Sequence, residues 1–196
     1  KVRDNSKGYY YTLQLDGNKV TKILVNSKDE GIQNFSLNII IMDRELLIDL
    51  ITEASLLGQE WFERDVLIPQ INKLNIQGYK YDGYVACVSS IKTYFDENMK
   101  LLDDYNQDAL FGKAPIYTKV RDDTPTRYIT GAKVSNIMAA DGCIIEGEVE
   151  NSILFRGVKI EKGAKVKNCI LMQDTVVEKG ADIEYLVTDK QVTITS

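Results

Sequence analysis

The side chains able to do chemistry are restricted in this chain of 196 residues, because it contains no histidine. Without an imidazole there is no Ser-His or Cys-His catalytic pair, no histidine general base and no histidine metal ligand. Acid–base chemistry would fall to Asp, Glu, Lys, Tyr or Cys. Two acidic pairs, Asp103-Asp104 and Asp122-Asp123, stand in polar surroundings, which is typical of a solvated surface, so we predict no metal site there.

The three cysteines, Cys87, Cys143 and Cys169, are odd in number and far apart in apolar surroundings. This pattern indicates buried free thiols in a reducing compartment rather than a disulfide framework or a zinc site. Cys143 and Cys169 adjoin apolar strand positions without a cation to lower the thiol pKa, so we expect structural roles for them. The sequence also has neither a Walker A motif nor G-x-G-x-x-G after a strand, and so offers no phosphate cradle.

Composition and charge exclude several classes of protein. Apolar residues make up 44% and charged residues 27%, the formal net charge is −5, and the basic residues are scattered, so no nucleic-acid partner is expected. No run approaches the roughly 20 apolar residues that cross a bilayer and no signal-peptide pattern opens the sequence, so we expect a cytoplasmic protein without a membrane partner. The chain opens on Lys1 and stops at Ser196 after a strand-like stretch, and we expect it to be a piece of a longer protein.

Residues 1–111 alternate strand-like and helix-like segments, which predicts part of an α/β domain. An Asp16-Gly17 turn signal between two alternating runs predicts a hairpin. The apolar run 36–42 (SLNIIIM) predicts a buried strand, and two short strand pieces are expected within 75–86.

Three helices are expected in the same region. Asp43 is a suitable N-cap for an apolar stripe that ends before Gly58. A weaker amphipathic pattern over 66–74 is interrupted by Pro69. Ser90 can cap a last helix, whose apolar stripe consists of Ile91, Tyr94, Phe95, Met99 and Leu102.

Residues 112–128, with Pro115 and Pro125, predict a linker. Residues 129–196 then show a six-residue period, which predicts a left-handed parallel β-helix. About 18 residues would complete a coil, and about three to four coils are expected, each covering the core of the last. We expect the period to slip near Val177. Its two phases consist of Val158, Ala164, Ile170 and Val176, and of Leu154, Ile160, Val166 and Met172.

Hexapeptide coils are also found in acyltransferases, which usually use a histidine base near the coil edge. This chain has none, so an acyltransferase would lack its proton acceptor. A stand-alone β-helical scaffold or an acyltransferase completed by another chain is a further alternative.

An α/β segment, a proline-containing linker and hexapeptide coils together resemble the sugar-nucleotide pyrophosphorylases. Residues 88–99 (VSSIKTYFDENM) are similar to the V-G-T-I-x-S-Y-x-x-A-N-M segment of the bacterial glucose-1-phosphate adenylyltransferase (ADP-glucose pyrophosphorylase) family. Residues 142–154 (GCIIEGEVENSIL) resemble its opening coil, G-C-x-I-x-G-x-V-x-N-S-V-L. The resemblance runs from about residue 8 to residue 194 and includes 36–39 with an S-M-G-I-Y strand, 63–69 with D-F-G-x-x-I-I-P and Asp189-Lys190 with a later D-K. It implies a nucleotidyltransferase-like α/β domain followed by the β-helix.

One departure from the family pattern concerns its metal ion. The family's W-R-D-V-G-T segment supplies an aspartate that helps to hold the catalytic Mg²⁺, whereas residues 85–90 (VACVSS) place Cys87 at that position. Mg²⁺ prefers oxygen ligands, so a neutral thiol cannot replace the carboxylate. The resemblance therefore implies no catalytic residue and no cofactor in this part of the protein, and Mg²⁺ in the family's catalytic subunit.

A second departure concerns the sugar phosphate. The family's E-K-P contacts glucose-1-phosphate through its Glu and Lys, but the aligned residues here are Asn26, Ser27 and Lys28, so both contacts are lost unless Lys28 substitutes. Ser36 matches a family serine that contacts the sugar. We regard Ser36, Asn26 and Ser27 as a vestigial sugar-binding set.

With these two independent losses the chain resembles the non-catalytic GlgD-type subunit of the family. This resemblance implies a role in glycogen biosynthesis and a hetero-oligomer with a catalytic subunit, expected to be a heterotetramer. An active sugar-1-phosphate nucleotidyltransferase with substituted ligands is the alternative. Sugar-phosphate effectors of such enzymes bind where the two domains meet, and phosphate recognition favours Arg and Lys. The effector candidates are Arg156, Arg127 and Lys119, followed by Lys113 and Arg121.

Overall fold

A computed structural model of the chain describes residues 10–27, 33–112, 116–118 and 122–196. The chain forms two compact units, of which the first ends at Asp82 and the second begins at Gly83. Among the described residues, no helix has the length and apolar character needed to cross a membrane.

The first unit is built on a hairpin. Strands β1 (Tyr11–Asp16) and β2 (Lys19–Val25) pair antiparallel, and β3 (Asn34–Phe35) adds to the other edge of β1. The predicted hairpin is confirmed, although its turn consists of Gly17 and Asn18, one residue later than predicted. Gly17 adopts the left-handed backbone at φ +57, which only glycine does without steric cost.

Helix α1 (Arg44–Leu56) has the predicted caps. The carboxylate of Asp43 accepts hydrogen bonds from the backbone N–H groups of Glu45 and Leu46, which have no partner within the helix. At the other end Gly58 turns the chain at φ +65. The helix predicted from its apolar stripe and these two residues is therefore confirmed.

The helix predicted over 66–74 is wrong in position. The structure has a π-helix over Phe62–Leu67, followed by turns. Pro69 lacks the N–H that a helix continuing through it would need, so the helical segment ends before the proline. The buried residues of the π-helix, Val66 and Leu67, belong to two different hydrophobic clusters.

Two small clusters form the core of the first unit. Leu67 packs against the inner face of the hairpin, with Tyr11, Val20 and Ile23. Val66 packs against the inner face of α1, with Leu50 and Ala54. The π-helix therefore joins hairpin and helix, because consecutive residues of it face different partners.

The buried strand predicted for 36–42 is wrong. Ser36 still donates its N–H to the carbonyl of Tyr11, but Asn38 then adopts the left-handed region at φ +57 and breaks the extended run. Beyond it Ile39 is 79% and Ile41 is 96% exposed. The apolar composition of this run is typical of a strand, but the left-handed backbone at Asn38 is incompatible with one.

The two strand pieces predicted within 75–86 are also wrong. Residues in this stretch make a single bridge, between Gln77 and Lys19. The flanking bonds, from the N–H of Val20 to the carbonyl of Ile76 and from the N–H of Gly78 to the carbonyl of Asn18, confine the pairing to three residues.

The second unit opens with helices. Helix α2 (Ile91–Lys100) begins at Ser90 as predicted, and Ser90 and Thr93 form a reciprocal capping box. A short α3 (Asp104–Gln107), capped by Asp103, and a π-helix (Asp108–Gly112) follow. The predicted division into residues 1–111, 112–128 and 129–196 stays a prediction.

The rest of the unit is a parallel β-helix of about four turns, which confirms the predicted fold class. One sheet has the strands β4 (Arg127–Tyr128), β6 (Ile144–Ile145), β8 (Lys159–Ile160), β11 (Val176–Val177) and β13 (Thr193–Ile194). The other has β5 (Lys133–Ala139), β7 (Glu148–Leu154), β9 (Lys165–Lys167), β10 (Ile170–Leu171) and β12 (Asp182–Glu184). All pairs within both sheets are parallel.

The coils are shorter than the roughly 18 residues that three strict hexapeptides would occupy. The register joins Tyr128 to Ile145, Ile145 to Ile160, Ile160 to Val177 and Val177 to Ile194, so every coil falls short of that length and the second is the shortest. The predicted slip near Val177 is therefore wrong in place, because it occurs before residue 171. The inward positions there are Leu171, Thr175 and Val177, each fully buried, in place of the predicted Met172 and Val176.

A column of asparagines accounts for one residue of the shortening in each coil. Asn136, Asn151 and Asn168 each adopt the left-handed backbone, at φ 49°, 45° and 50°, and turn the chain between two faces of the coil. Their side chains form a ladder in which Asn136 donates to Asn151, Asn151 to Asn168, and Asn168 to the carboxylate of Glu184. Asparagine tolerates this backbone better than most residues, and each such corner leaves one face with five residues instead of six.

Replacing Asn151 with alanine is expected to lower the free energy of unfolding by about 2 kcal/mol. About half comes from placing a Cβ-bearing residue without a local hydrogen bond in the left-handed region, and half from the broken ladder. Asn151→Gly keeps the backbone conformation and loses only the ladder, so it should cost less than alanine. Urea denaturation of both variants measures this, and a smaller loss for alanine than for glycine would contradict the corner argument.

Candidate functional site

The segment that aligns with the family's metal-binding motif is fastened to α2. The N–H groups of Ser89 and Ser90 both donate to the hydroxyl of Thr93, at 2.9 and 2.8 Å. Upstream, the Tyr84 hydroxyl lies 3.5 Å from the carboxylate of Glu97, and burial together with this carboxylate raises the pKa of Tyr84. The chain between residues 84 and 90 is thus attached to one helix at both ends.

Cys87 lies between these two attachments and is half-buried. Its side chain offers one sulfur where a Mg²⁺ site needs oxygen. Among the described residues no three Cys, Asp or Glu side chains gather as metal ligands. The residues at this position therefore do not fit the Mg²⁺ that the family resemblance implies.

The vestigial sugar-binding set lies at one end of the hairpin. Asn26 follows β2 at φ 48°, and its side-chain oxygen accepts the N–H of Tyr10 at 3.0 Å. The carbonyl of Ser27 accepts the Tyr10 hydroxyl at 2.7 Å. The backbone N–H of Ser36 donates to the carbonyl of Tyr11, the residue after Tyr10. The Ser36 hydroxyl accepts the backbone N–H of Asn38 at 3.2 Å.

The structure thus brings these three residues together around Tyr10 and Tyr11. Asn26 and Ser36 use their side chains to fix the local backbone. Lys28, the residue that could substitute for the family lysine, lies outside the described residues. Their role toward a sugar stays a prediction.

The effector candidates occupy different places on the β-helix. Arg127 is exposed on β4, in the column that continues through Ile144 to Lys159. Arg156 precedes a corner, and its carbonyl accepts the N–H of Asp174 at 2.9 Å. Lys119, Lys113 and Arg121 lie outside the described residues, so effector binding stays a prediction.

Cys143 and Cys169 are interior thiols. Both are fully buried, and they donate to the carbonyls of Phe155 and Lys167 at 3.1 and 3.0 Å. Burial raises the pKa of both thiols, which disfavours the nucleophilic thiolate. All three cysteines are free, as predicted, but the predicted burial is wrong for Cys87, which is only half-buried.

Sequence reasoning missed the contact between α2 and the β-helix. The rings of Phe95 on α2 and Tyr185, which follows Asn168 in the asparagine column, lie 6.4 Å apart between centroids and are inclined by 50°. The sequence pattern assigns Phe95 to the apolar stripe of the helix without a partner. The interval between the asparagines at 151 and 168, repeated once more along the chain, points to Tyr185 as the next corner.

Comparison with known proteins agrees with both parts of the chain. Residues 120–196 match the family model described as GlmU-like, C-terminal hexapeptide. The chain is 46% identical over 160 residues to the glycogen biosynthesis protein GlgD of Bacillus subtilis (strain 168), covering 81% of this chain and 46% of that protein.

Two proteins of Geobacillus stearothermophilus are also similar. Its glycogen biosynthesis protein GlgD is 40% identical over 132 residues, covering 67% of this chain and 38% of that protein. Its glucose-1-phosphate adenylyltransferase is 39% identical over 108 residues, covering 54% of this chain and 28% of that protein. The chain spans less than half the length of these curated relatives.

Proposed function

This chain belongs to the family of GlgD proteins and glucose-1-phosphate adenylyltransferases, and from that premise we propose that the whole protein acts in glycogen biosynthesis as a regulatory and assembly subunit. Its partner is a catalytic glucose-1-phosphate adenylyltransferase, which forms ADP-glucose and diphosphate from ATP and glucose-1-phosphate. The two associate as a hetero-oligomer, most simply a heterotetramer, in the cytoplasm. Mg²⁺ belongs to the catalytic subunit.

This proposal rests on Cys87, whose thiol stands, by the resemblance to the family, where the family has its metal-binding aspartate. In nucleotidyl transfer a divalent cation neutralises charge on the phosphates and aligns the attacking oxygen. A side chain that cannot coordinate the ion removes both the neutralisation of charge and the alignment of the attacking oxygen. A chain that keeps the surrounding segment while losing the ligand is suited to assembly rather than to turnover.

The state of the sugar-contact positions supports the same conclusion. Asn26 stands where the family has a glutamate, and its side-chain oxygen accepts a hydrogen bond from the N–H of Tyr10. Ser27 stands where the family has a lysine whose charge contacts the phosphate, and a hydroxyl carries no compensating charge. Metal and phosphate contacts are thus weakened independently.

Regulation by sugar phosphates is the finer part of the proposal. Arg127 and Arg156 are the described candidates for contacting an anionic effector, because guanidinium groups bind phosphate oxygens in pairs. The alternative, an active sugar-1-phosphate nucleotidyltransferase with substituted ligands, requires a carboxylate from elsewhere to take the place of Cys87.

Mixing the whole protein with the catalytic glucose-1-phosphate adenylyltransferase of the same organism tests the proposal. We expect a single larger complex by light scattering and a several-fold higher rate of ADP-glucose formation than the catalytic subunit gives alone. The control is an equal added mass of the catalytic subunit. The whole protein alone should form no ADP-glucose with Mg²⁺, whereas ordinary turnover by it would establish the alternative.

A further inference from the structure

One corner in the asparagine column of the β-helix is not an asparagine. Asn136, Asn151 and Asn168 turn the chain in successive coils, and Tyr185 takes the equivalent position in the last, at φ 53°. Asparagine tolerates this left-handed backbone through its short polar side chain, whereas a bulky residue with φ in this range is unusual and strained. The corner geometry alone therefore does not select tyrosine.

Burial in the β-helix does not select it either. Tyr185 is 70% exposed, and the asparagine ladder ends on the neighbouring Glu184 rather than on the tyrosine. The contact its ring does make is with Phe95, at a centroid distance of 6.4 Å and an inclination of 50°, which lies in the range of favourable tilted aromatic pairs. Strained residues that persist are those whose surroundings, or whose use, require them.

Phe95 belongs to the helix that carries the Cys87 segment. Helix α2 lies against β7, and its residues Thr93 and Glu97 bind the two ends of the stretch 84–90. A continuous path of contacts thus runs from the Tyr185 corner through Phe95 and α2 to the side chain of Tyr84 on one side of Cys87 and to the backbone of Ser89 and Ser90 on the other.

We propose that Tyr185 is a positioning residue whose ring docks α2 on the β-helix and so fixes the Cys87 segment relative to the coils. A change at the β-helix, such as assembly with another subunit, would then be transmitted to that segment. This last step, on regulation, rests on the proposed function, whereas the docking itself does not.

Hydrogen exchange of the chain, followed by mass spectrometry of its peptides, tests the docking. In Tyr185→Asn the corner gains the residue that the other coils use, so peptides from β9 and β12 should keep or increase their protection. The peptide spanning α2 should exchange roughly three- to tenfold faster, as expected for the loss of an aromatic pair. Tyr185→Phe should restore the wild-type exchange of α2, and Phe95→Ala should reproduce the effect of Tyr185→Asn.

The opposite directions expected for α2 and the corner separate docking from general stability. Unchanged exchange of α2 in both Tyr185→Asn and Phe95→Ala would overturn the proposal, and so would equal loosening of α2 and the coils. In the whole protein, Tyr185→Asn should reduce the stimulation of the catalytic subunit. If the wild-type protein gives no stimulation, the proposed function fails, while the exchange of α2 still decides the docking.

Discussion

Replacing Gly147 with alanine should lower the free energy of unfolding of the β-helix by about 3 kcal/mol, at the upper end of the range for inserting a methyl group into a packed interior. Gly147 lies where the chain takes the short route between two faces, in the coil from Ile145 to Ile160, which is shorter than the two coils after it. A Cβ there would meet the carbonyl oxygens of Ala164 at 2.4 Å and Glu161 at 2.8 Å. Both are backbone atoms of the next coil, so relief requires the coils to separate.

Gly163 supplies the matched control, because it also lies at a corner but a Cβ added to it would meet no atom within 4 Å. Its backbone is left-handed at φ +79, so alanine there should cost about 1 kcal/mol through strain alone. Urea denaturation followed by circular dichroism compares the two. A loss at Gly147 no larger than at Gly163 would mean that the coils can move apart freely at the short corner.

The β-helix is predictable from the sequence because its main signal is periodic. Aliphatic residues six apart must face the same way when each coil stacks on the last, and Leu154, Ile160 and Val166 are indeed buried. The six-residue period does not predict the corner at Asn168, where a residue with a left-handed backbone shortens one face of the coil. A count of apolar positions has no access to backbone φ, so it places the slip near Val177 instead.

The first unit is less predictable because composition and backbone disagree there. Asp43 and Gly58 mark α1 correctly, since caps act through local hydrogen bonds that the sequence specifies. The run 36–42 has the composition of a buried strand, yet Asn38 adopts φ +57 and the isoleucines after it are exposed. Burial is a tertiary property, and no local pattern determines which apolar run receives a covering layer.

For the candidate site, sequence alignment and geometry contribute different things. The resemblance to the family predicts that Cys87, Asn26 and Ser27 depart from its pattern. The structure adds that the side-chain oxygen of Asn26 accepts the N–H of Tyr10. It also shows that α2 contacts the Cys87 segment on both sides. A contact such as Phe95 with Tyr185 joins residues from opposite ends of the second unit, and no motif spans that separation.

Restoring the family's side chains in the whole protein should raise its rate of ADP-glucose formation well above that of the parent protein. The combination Cys87→Asp, Asn26→Glu and Ser27→Lys is expected to raise Mg²⁺-dependent ADP-glucose formation at least about a hundredfold above the parent protein, because it returns a hard oxygen ligand and a phosphate-binding charge. Cys87→Asp alone should give less than about tenfold, since the phosphate contact is still missing. Radiochemical detection of ADP-glucose measures both.

The same combination with Cys87→Ser in place of aspartate isolates the carboxylate. It preserves the size of the side chain and both sugar-contact changes, so its activity should stay near that of the parent. The glutamate at position 26 has a structural cost of about 2 kcal/mol, because it enters a left-handed backbone position and loses the cap on Tyr10. Thermal denaturation must therefore show that each variant is folded at the assay temperature. Equal rates for the serine and aspartate versions would mean that a carboxylate at position 87 does not determine the rate, which would contradict the proposed role of Cys87.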